Sequence, residues 1–188
     1  MVPKPIVYMN KDYKSGKLRL SSEAGPDNIQ CCVPFGGSAP SVRNPARDIL
    51  GGKGLGLQEM SSIGIDVPPG FTLTTPLCQV FDKHGDLPEE LWLEVDRAIE
   101  RVENDLGRKF GNATNPLLFS CRSGAAISMP GMMDTVLNVG LTKDTVEGLA
   151  KATGNRRFAY DAYRRLLDMF GDVSNINIRR QLICWHLD

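Results

Sequence analysis

Two short stretches carry the residue types most suited to chemistry: Gly51-Gly52-Lys53-Gly54-Leu55-Gly56-Leu57-Gln58-Glu59-Met60, and Ser120-Cys121-Arg122-Ser123-Gly124 about seventy residues later. Glycines without Cβ let a backbone approach a polyanion, lysine brings a compact positive charge, and the N-terminal N–H groups of a following helix favour negative charge. This is chemistry for holding phosphate, and an ATP-type ligand is the expectation. A Walker A loop is excluded, because Arg47 stands where its first glycine belongs and Gly54 where its hydroxyl belongs. A dinucleotide fingerprint is excluded as well, since Gly54 and Gly56 are followed by Glu59 in place of the third glycine. Taken alone, the decapeptide is read equally well as a tight strand-to-helix turn.

The chain of 188 residues suffices for one domain with a core or slightly more, and 41% hydrophobic content is ordinary for a soluble globular protein. Its 22 Lys and Arg balance 22 Asp and Glu, so there is no electrostatic footprint for nucleic acid or an anionic membrane. No apolar run approaches the length of a membrane span. Cys31, Cys32, Cys78, Cys121 and Cys184 show no disulfide-framework or zinc spacing, which points to a reducing compartment. Cys31-Cys32 admits a redox-pair reading, but two small apolar residues in a buried strand is the commoner one. A cytoplasmic location is expected; the acid-poor start, with Lys4, Lys11, Lys14, Lys17 and Arg19 against Asp12, leaves an organelle open.

The elements that must position these residues alternate between strand and helix. Residues 1–30 read as an extension with a loose hairpin of Ile6 to Met9 and Leu18 to Leu20. Residues 31–35 read as a strand pushed to an edge by Pro34, and Gly36 to Pro45 as a loop. After the glycine-lysine turn, Leu57, Met60 and Ile63 recur at helical spacing up to Gly64. Phe71 to Thr75 alternates as a strand, and Thr75-Pro76 supplies an N-cap and first-turn proline for a helix ending near Gly85, with His84 in its last turn.

The segment Pro88 to Leu106 is the most periodic, with Leu91, Val95, Ile99, Val102 and Leu106 opposite Glu90, Glu94, Asp96, Arg97 and Glu103. Leu117 to Cys121 reads as a buried strand that delivers Arg122 at its C-terminal end, and Thr135 to Val139 as another. Helices are predicted from Thr142 to Ala152 and from Arg156 to Phe170, the second stopped by Gly171 and burying Phe158, Ala162, Leu166, Met169 and Phe170. Tyr160, Tyr163, Arg164 and Arg165 on that helix are read as packing and solvation rather than as a nucleic-acid patch.

Five blocks in order, Gly51 to Gly54, Val67 to Thr72, Arg122-Ser123-Gly124, Ser128 to Thr135 and Arg157 to Arg165, resemble the N-terminal nucleotide-binding region of the pyruvate, phosphate dikinase family. The resemblance runs from about Cys31 to Val173. It divides the chain into an N-terminal extension (1–30), a partial ATP/AMP-binding domain (31–173) and a divergent tail (174–188). Phosphoenolpyruvate synthase, a relative, is similar in the glycine-lysine and Pro-Pro-Gly-Phe blocks but typically carries other residues at Arg122-Ser123-Gly124 and Met129-Pro130-Gly131. The phosphate-using dikinase is therefore preferred.

The resemblance implies an α/β (α+β) fold, the first subdomain of an ATP-grasp-like domain with a mixed sheet and flanking helices. It implies a phosphotransferase reaction in which ATP, phosphate and pyruvate give AMP, pyrophosphate and phosphoenolpyruvate by way of a phosphohistidine. Lys53 and Arg122, with Gly51, Gly52 and Gly54, would contact the triphosphate, and Gly131, Met132, Met133, Asp134 and Thr135 would belong to a loop covering it. Read as residues alone, Met129, Met132 and Met133 suit core packing better than a phosphate loop, and Asp134 equally begins a strand after a turn. ATP would come with Mg2+, whose ligands the family carries in a later subdomain, so no metal ligand is assigned here. Pyruvate and phosphate would be partners of the full-length enzyme only.

No catalytic residue is expected in this chain, because neither His84 nor His186, its two histidines, has the family's phosphocarrier context. The chain alone is expected to be inactive, whether through truncation or translation past a splice junction. The other reading is a free-standing nucleotide-binding or interaction module without catalysis. No oligomeric state is indicated.

Overall fold

The computed structural model describes residues 6–8, 31–40, 42, 46–122 and 135–174, with only the backbone of 6–8 and of 174. Five strands form one mixed sheet: β1 (Ile6–Tyr8), β2 (Cys32–Phe35), β3 (Gly70–Leu73), β6 (Phe119–Arg122) and β7 (Thr135–Val139), in the order β2-β3-β1-β6-β7. The central strands β3, β1 and β6 are parallel, and the outer strands β2 and β7 run antiparallel to their neighbours. A two-stranded sheet pairs β4 (Lys109–Phe110) with β5 (Pro116–Leu117). Ile6–Tyr8, read from sequence as half of a hairpin, is a central parallel strand; its expected partner, Leu18 to Leu20, lies outside the described residues.

The sheet is covered by helices because its strands are apolar on both faces, the pattern of a parallel sheet buried from both sides. On one face, α1 (Arg47–Ser62) sets Leu57 against Phe35 and Val67. On the other, α3 (Glu89–Leu106) presents Ala98 and Val102 to Cys32, Phe71, Leu117 and Phe119, with Val95, Ile99 and Leu106 around them. Phe119 meets Phe71 and Phe110 edge-on at 6.3 and 5.5 Å between ring centres, the arrangement aromatic quadrupoles favour. Beside α3, α5 (Arg156–Ser174) brings Ala162 and Leu166 onto Leu118, Val136 and Leu141. Two further helices complete the fold, α2 (Pro76–His84) after β3 and α4 (Lys143–Thr153), whose Val146 and Ala150 pack on Ala159 of α5.

Local signals set the helix ends. Gly85, Gly107 and Gly154 close α2, α3 and α4 in the left-handed conformation, and Thr142 with Thr145 forms a capping box at the start of α4. Pro34 lies on an edge strand, as its missing N–H demands.

Three expectations fail. Glu103 is not on the solvent face of α3 but 9% exposed, accepting hydrogen bonds from Lys109 Nζ at 2.7 Å and the Phe110 N–H at 2.8 Å. Those donors come from β4, which no periodicity within α3 reveals. Phe158 and Phe170 are 48% and 53% exposed, because Ala159, fully buried, takes the inward position at the start of α5. Gly171 does not stop α5, which runs on to Ser174. The helix read from Leu57, Met60 and Ile63 holds, with α1 running to Ser62 and Ile63 as its C-cap; Leu57 is buried and the other two are exposed.

Polar side chains of α3 fasten β2 and the loop after it. Glu94 Oε2 accepts the Cys32 N–H at 2.9 Å; Arg101 donates to the carbonyls of Gly36 at 3.2 Å and Gly70 at 2.5 Å; Asp105 pairs with Arg101 and accepts the Ser38 N–H at 3.1 Å. From the other face, Gln58 of α1 donates to the Pro34 carbonyl at 2.7 Å. Burial, then the charge of Glu94, pushes the Cys32 thiol up to about 12, which fits a packing residue and not a redox pair.

Candidate phosphate site at the broken helix

Four residues of α1, Arg47 to Leu50, precede the glycines, so the turn read as strand-to-helix is a break inside a helical segment. Gly51 sits at φ 68°, ψ 170°, a conformation essentially reserved for glycine, and the helix restarts after it. The restart turns the Gly52, Lys53 and Gly54 segment into a second helix N-terminus, where N–H groups and the helix dipole favour an anion. A methyl on Gly51 would meet no atom within 4 Å, so its glycine requirement is one of backbone conformation alone.

Gly54 has a different role. It is buried, and a methyl there would lie 3.0 Å from Thr72 Cγ2 and 3.2 Å from Leu50 Cβ. Its missing side chain therefore admits α1 close onto β3. Gly52 is exposed, and a methyl on it would sit 3.8 Å from a guanidinium nitrogen of Arg47.

The start of α1 lies over the C-terminal end of β3, because the N–H of Thr75, just past that strand, donates to the Ile49 carbonyl at 2.8 Å. Arg122 closes β6, and in parallel sheets ligands bind beyond these strand ends. The register through β1 aligns Phe71, Val7 and Cys121 in one row, which puts Thr72 and Arg122 in the next. One strand, β1, lies between them, so they are two inter-strand spacings apart, roughly 10 Å. Since Gly54 rests on Thr72, Lys53 and Arg122 come to the same end of the same face.

Their electrostatics agree with that placement. The Lys53 ammonium is held below the ordinary lysine pKa, first by burial and then by the charge of Arg122. Arg122 Nε is buried without a hydrogen-bond partner among the described residues. Two cations brought near one another, one with a donor unsatisfied, favour an incoming anion.

Thr135 pairs with Arg122 across β6 and β7, so the two residues that flank 123–134 are neighbours in the sheet. Gly131, Met132, Met133 and Asp134 lie outside the described residues. Among the described residues no group of three or more His, Cys, Asp or Glu side chains could hold a metal ion. His84 is exposed in the last turn of α2. No helix among the described residues is long and apolar enough to cross a membrane.

A cleft of about 470 Å³ lies at the opposite end of α1, between Phe35, Gly36, Leu55, Gln58, Asp66 and Val67. It contains neither Lys53 nor Arg122, and apolar and acidic walls are a poor match for a polyphosphate.

Two contributors escaped the sequence reading. Arg47 was noticed only for spoiling a Walker pattern, although the break folds it back beside Gly52. Thr75 was read as the N-cap of α2, yet it makes no side-chain cap; its hydroxyl donates instead to the Asp48 carbonyl.

Comparison with known proteins addresses the same segment. The family model for the pyruvate phosphate dikinase AMP/ATP-binding domain matches residues 47–97, which begin at the broken helix. The chloroplastic pyruvate, phosphate dikinase of Mesembryanthemum crystallinum is 53% identical over 146 residues, 77% of this chain and 15% of the relative. The pyruvate, phosphate dikinase of Giardia intestinalis is 52% identical over 134 residues, 71% of this chain and 15% of the relative. Pyruvate, phosphate dikinase 1 of Oryza sativa is 51% identical over 157 residues, 83% of this chain and 16% of the relative. The matched part thus spans about 15% of the length of these relatives. With about half the residues identical across most of its length, and the glycine-lysine helix inside the matched domain, the chain belongs to the pyruvate, phosphate dikinase family, in the part that forms the AMP/ATP-binding domain.

Proposed function

We propose that this chain binds the polyphosphate of ATP between the helix restart at Gly51 to Lys53 and the guanidinium of Arg122, as the nucleotide-binding part of a pyruvate, phosphate dikinase. The observation that carries this reading is the break at Gly51. It spends a residue in a glycine-only conformation to open a helix N-terminus beside one lysine and near one arginine with an unsatisfied donor. The family reaction turns ATP, phosphate and pyruvate into AMP, pyrophosphate and phosphoenolpyruvate. Phosphoryl transfer of this kind depends on positioned cations and oriented N–H groups to stabilise developing charge.

Within that division of work, Lys53 acts as a point charge, Arg122 as a planar fork able to grip two oxygens, and Arg47 as a third cation at the rim. The segment that ends at Thr135 closes over the bound phosphates. Mg2+ would come with the nucleotide and be held by ligands that the family carries in a later subdomain. No phosphocarrier histidine takes part here, so the chain by itself performs no turnover.

Calorimetric titration with Mg·ATP tests the site. Lys53→Ala and Arg122→Ala should each weaken binding at least tenfold, the loss of a charge-assisted hydrogen bond. Arg122→Lys should fail to restore it. Equal heats for all of these proteins would remove the assignment, and formation of AMP and phosphoenolpyruvate by the purified 188-residue chain would refute the absence of turnover.

A further inference from the structure

The sequence places Thr75 and Pro76 where an N-cap and first-turn proline belong, but the Thr75 side chain makes no cap hydrogen bond. The backbone carbonyl of Thr75 already receives the Cys78 N–H at 2.9 Å, so α2 starts without help from the hydroxyl. That hydroxyl donates to the carbonyl of Asp48, and the Thr75 N–H donates to the carbonyl of Ile49 at 2.8 Å. In an unbroken helix these two carbonyls are the acceptors for the N–H groups of Gly52 and Lys53, four residues on. Thr75 therefore occupies, from across 27 residues of sequence, the acceptors that would otherwise draw α1 into a straight helix.

Resting on the proposed phosphate site, we infer that Thr75 is a positioning residue for it: its hydroxyl and N–H clamp the Asp48 and Ile49 carbonyls and hold α1 broken at Gly51. A straight helix satisfies the Gly52 N–H internally at the Asp48 carbonyl and removes the second helix N-terminus. The clamp tips the choice toward the broken form before any nucleotide arrives, and so reduces what binding must spend on reorganisation. It also ties the turn to the end of β3, fixing the height of Lys53 above the strand row that carries Arg122. Thr75 touches no phosphate in this scheme; it acts through the backbone of α1.

The test compares Thr75→Val, which keeps the branched shape and loses the hydroxyl, with Thr75→Ser, which keeps the hydroxyl. Amide hydrogen exchange in the ligand-free chain reads the turn, and Mg·ATP titration reads its consequence. Thr75→Val frees the Asp48 carbonyl alone, so it should slow exchange at Gly52 and weaken Mg·ATP about tenfold, the scale of one lost hydrogen bond. Thr75→Ser should return both to wild type; Thr75→Ala replaces the valine variant if that does not fold. Wild-type exchange at Gly52 in the valine variant would overturn the clamp. Wild-type Mg·ATP affinity in it, with Lys53→Ala still weakening binding, would overturn the positioning role while sparing the phosphate site. Indifference of affinity to Lys53→Ala would overturn the site itself, and the exchange data would then decide the clamp alone.

Discussion

Two glycines in one helix should respond to the same substitution in opposite ways. Gly51 has φ 68° and Gly56 has helical backbone, and a Cβ on either meets nothing within 4 Å, so neither Gly51→Ala nor Gly56→Ala creates a clash. The difference is conformational. Alanine in the Gly51 conformation carries strain of about 1–3 kcal/mol, while alanine gains about 1 kcal/mol over glycine in a regular helix. Both terms push Gly51→Ala toward the straight helix, by about 2–4 kcal/mol together. If Mg·ATP recognises only the broken form, its affinity falls about 30-fold to several hundredfold. The straight helix is itself well formed, so the loss of binding should far outrun any fall in thermal midpoint. Gly56→Ala gains the helix term alone and should raise the midpoint by about 2–4 °C with unchanged affinity. Circular dichroism melts and calorimetry on both variants are the assay. Wild-type affinity in Gly51→Ala would refute the claim that the break makes the site.

The depressed pKa of Lys53 should make binding pH-dependent: a bound polyanion restores the charged form, so affinity holds while Lys53 is protonated in the free protein and falls as pH rises through its lowered pKa. Titrations across alkaline pH should show this decline in the wild type and not in Lys53→Gln. Burial pushes the Glu103 carboxyl up, but hydrogen bonds from Lys109 and the Phe110 N–H, with the charge of Lys109, outweigh it and leave the pKa lowered. A lowered carboxyl pKa stabilises the fold above the unfolded value and loses that contribution as pH falls through the folded value. Glu103→Gln should therefore cost about 1–2 kcal/mol at pH 7, and the gap in denaturant midpoint should close on acidification below about pH 4; a gap that persists would contradict this. Cys32, buried with its thiol pushed up to about 12, should resist alkylation at pH 8 in the native chain and react on unfolding, as mass spectrometry would show.

Features with local causes were legible in the sequence. The α3 stripe, the helix end at Gly85, the edge position of Pro34 and the delivery of Arg122 by a strand all follow from spacing within a few residues. What escaped depends on partners distant in the chain. The sequence marked the glycine-lysine segment as a place where a helix begins, but not that a helical turn stands on both sides of Gly51. Thr75 has the residue type of an N-cap, and only the carbonyl of Asp48, brought beside it by the approach of α1 to β3, gives its hydroxyl another acceptor. Glu103 falls on the polar side of α3 by periodicity, and is buried because Lys109 and the Phe110 N–H compensate it. Alternating large and small residues at the start of α5 hid which of them face inward, so Ala159 displaced Phe158 from the core.

The fastening of β2 has a consequence for solubility. Cys32 and Pro34 alternate on one side of an outer strand, where open donors and acceptors would invite another chain to add a strand. Glu94 already occupies the Cys32 N–H, Pro34 has no N–H to offer, and Gln58 occupies the Pro34 carbonyl. Two side chains, one from each of two helices, and one imino acid thus block this border of the sheet against self-association. Removing the carboxylate at position 94 would reopen a seam for aggregation without disturbing a single core contact.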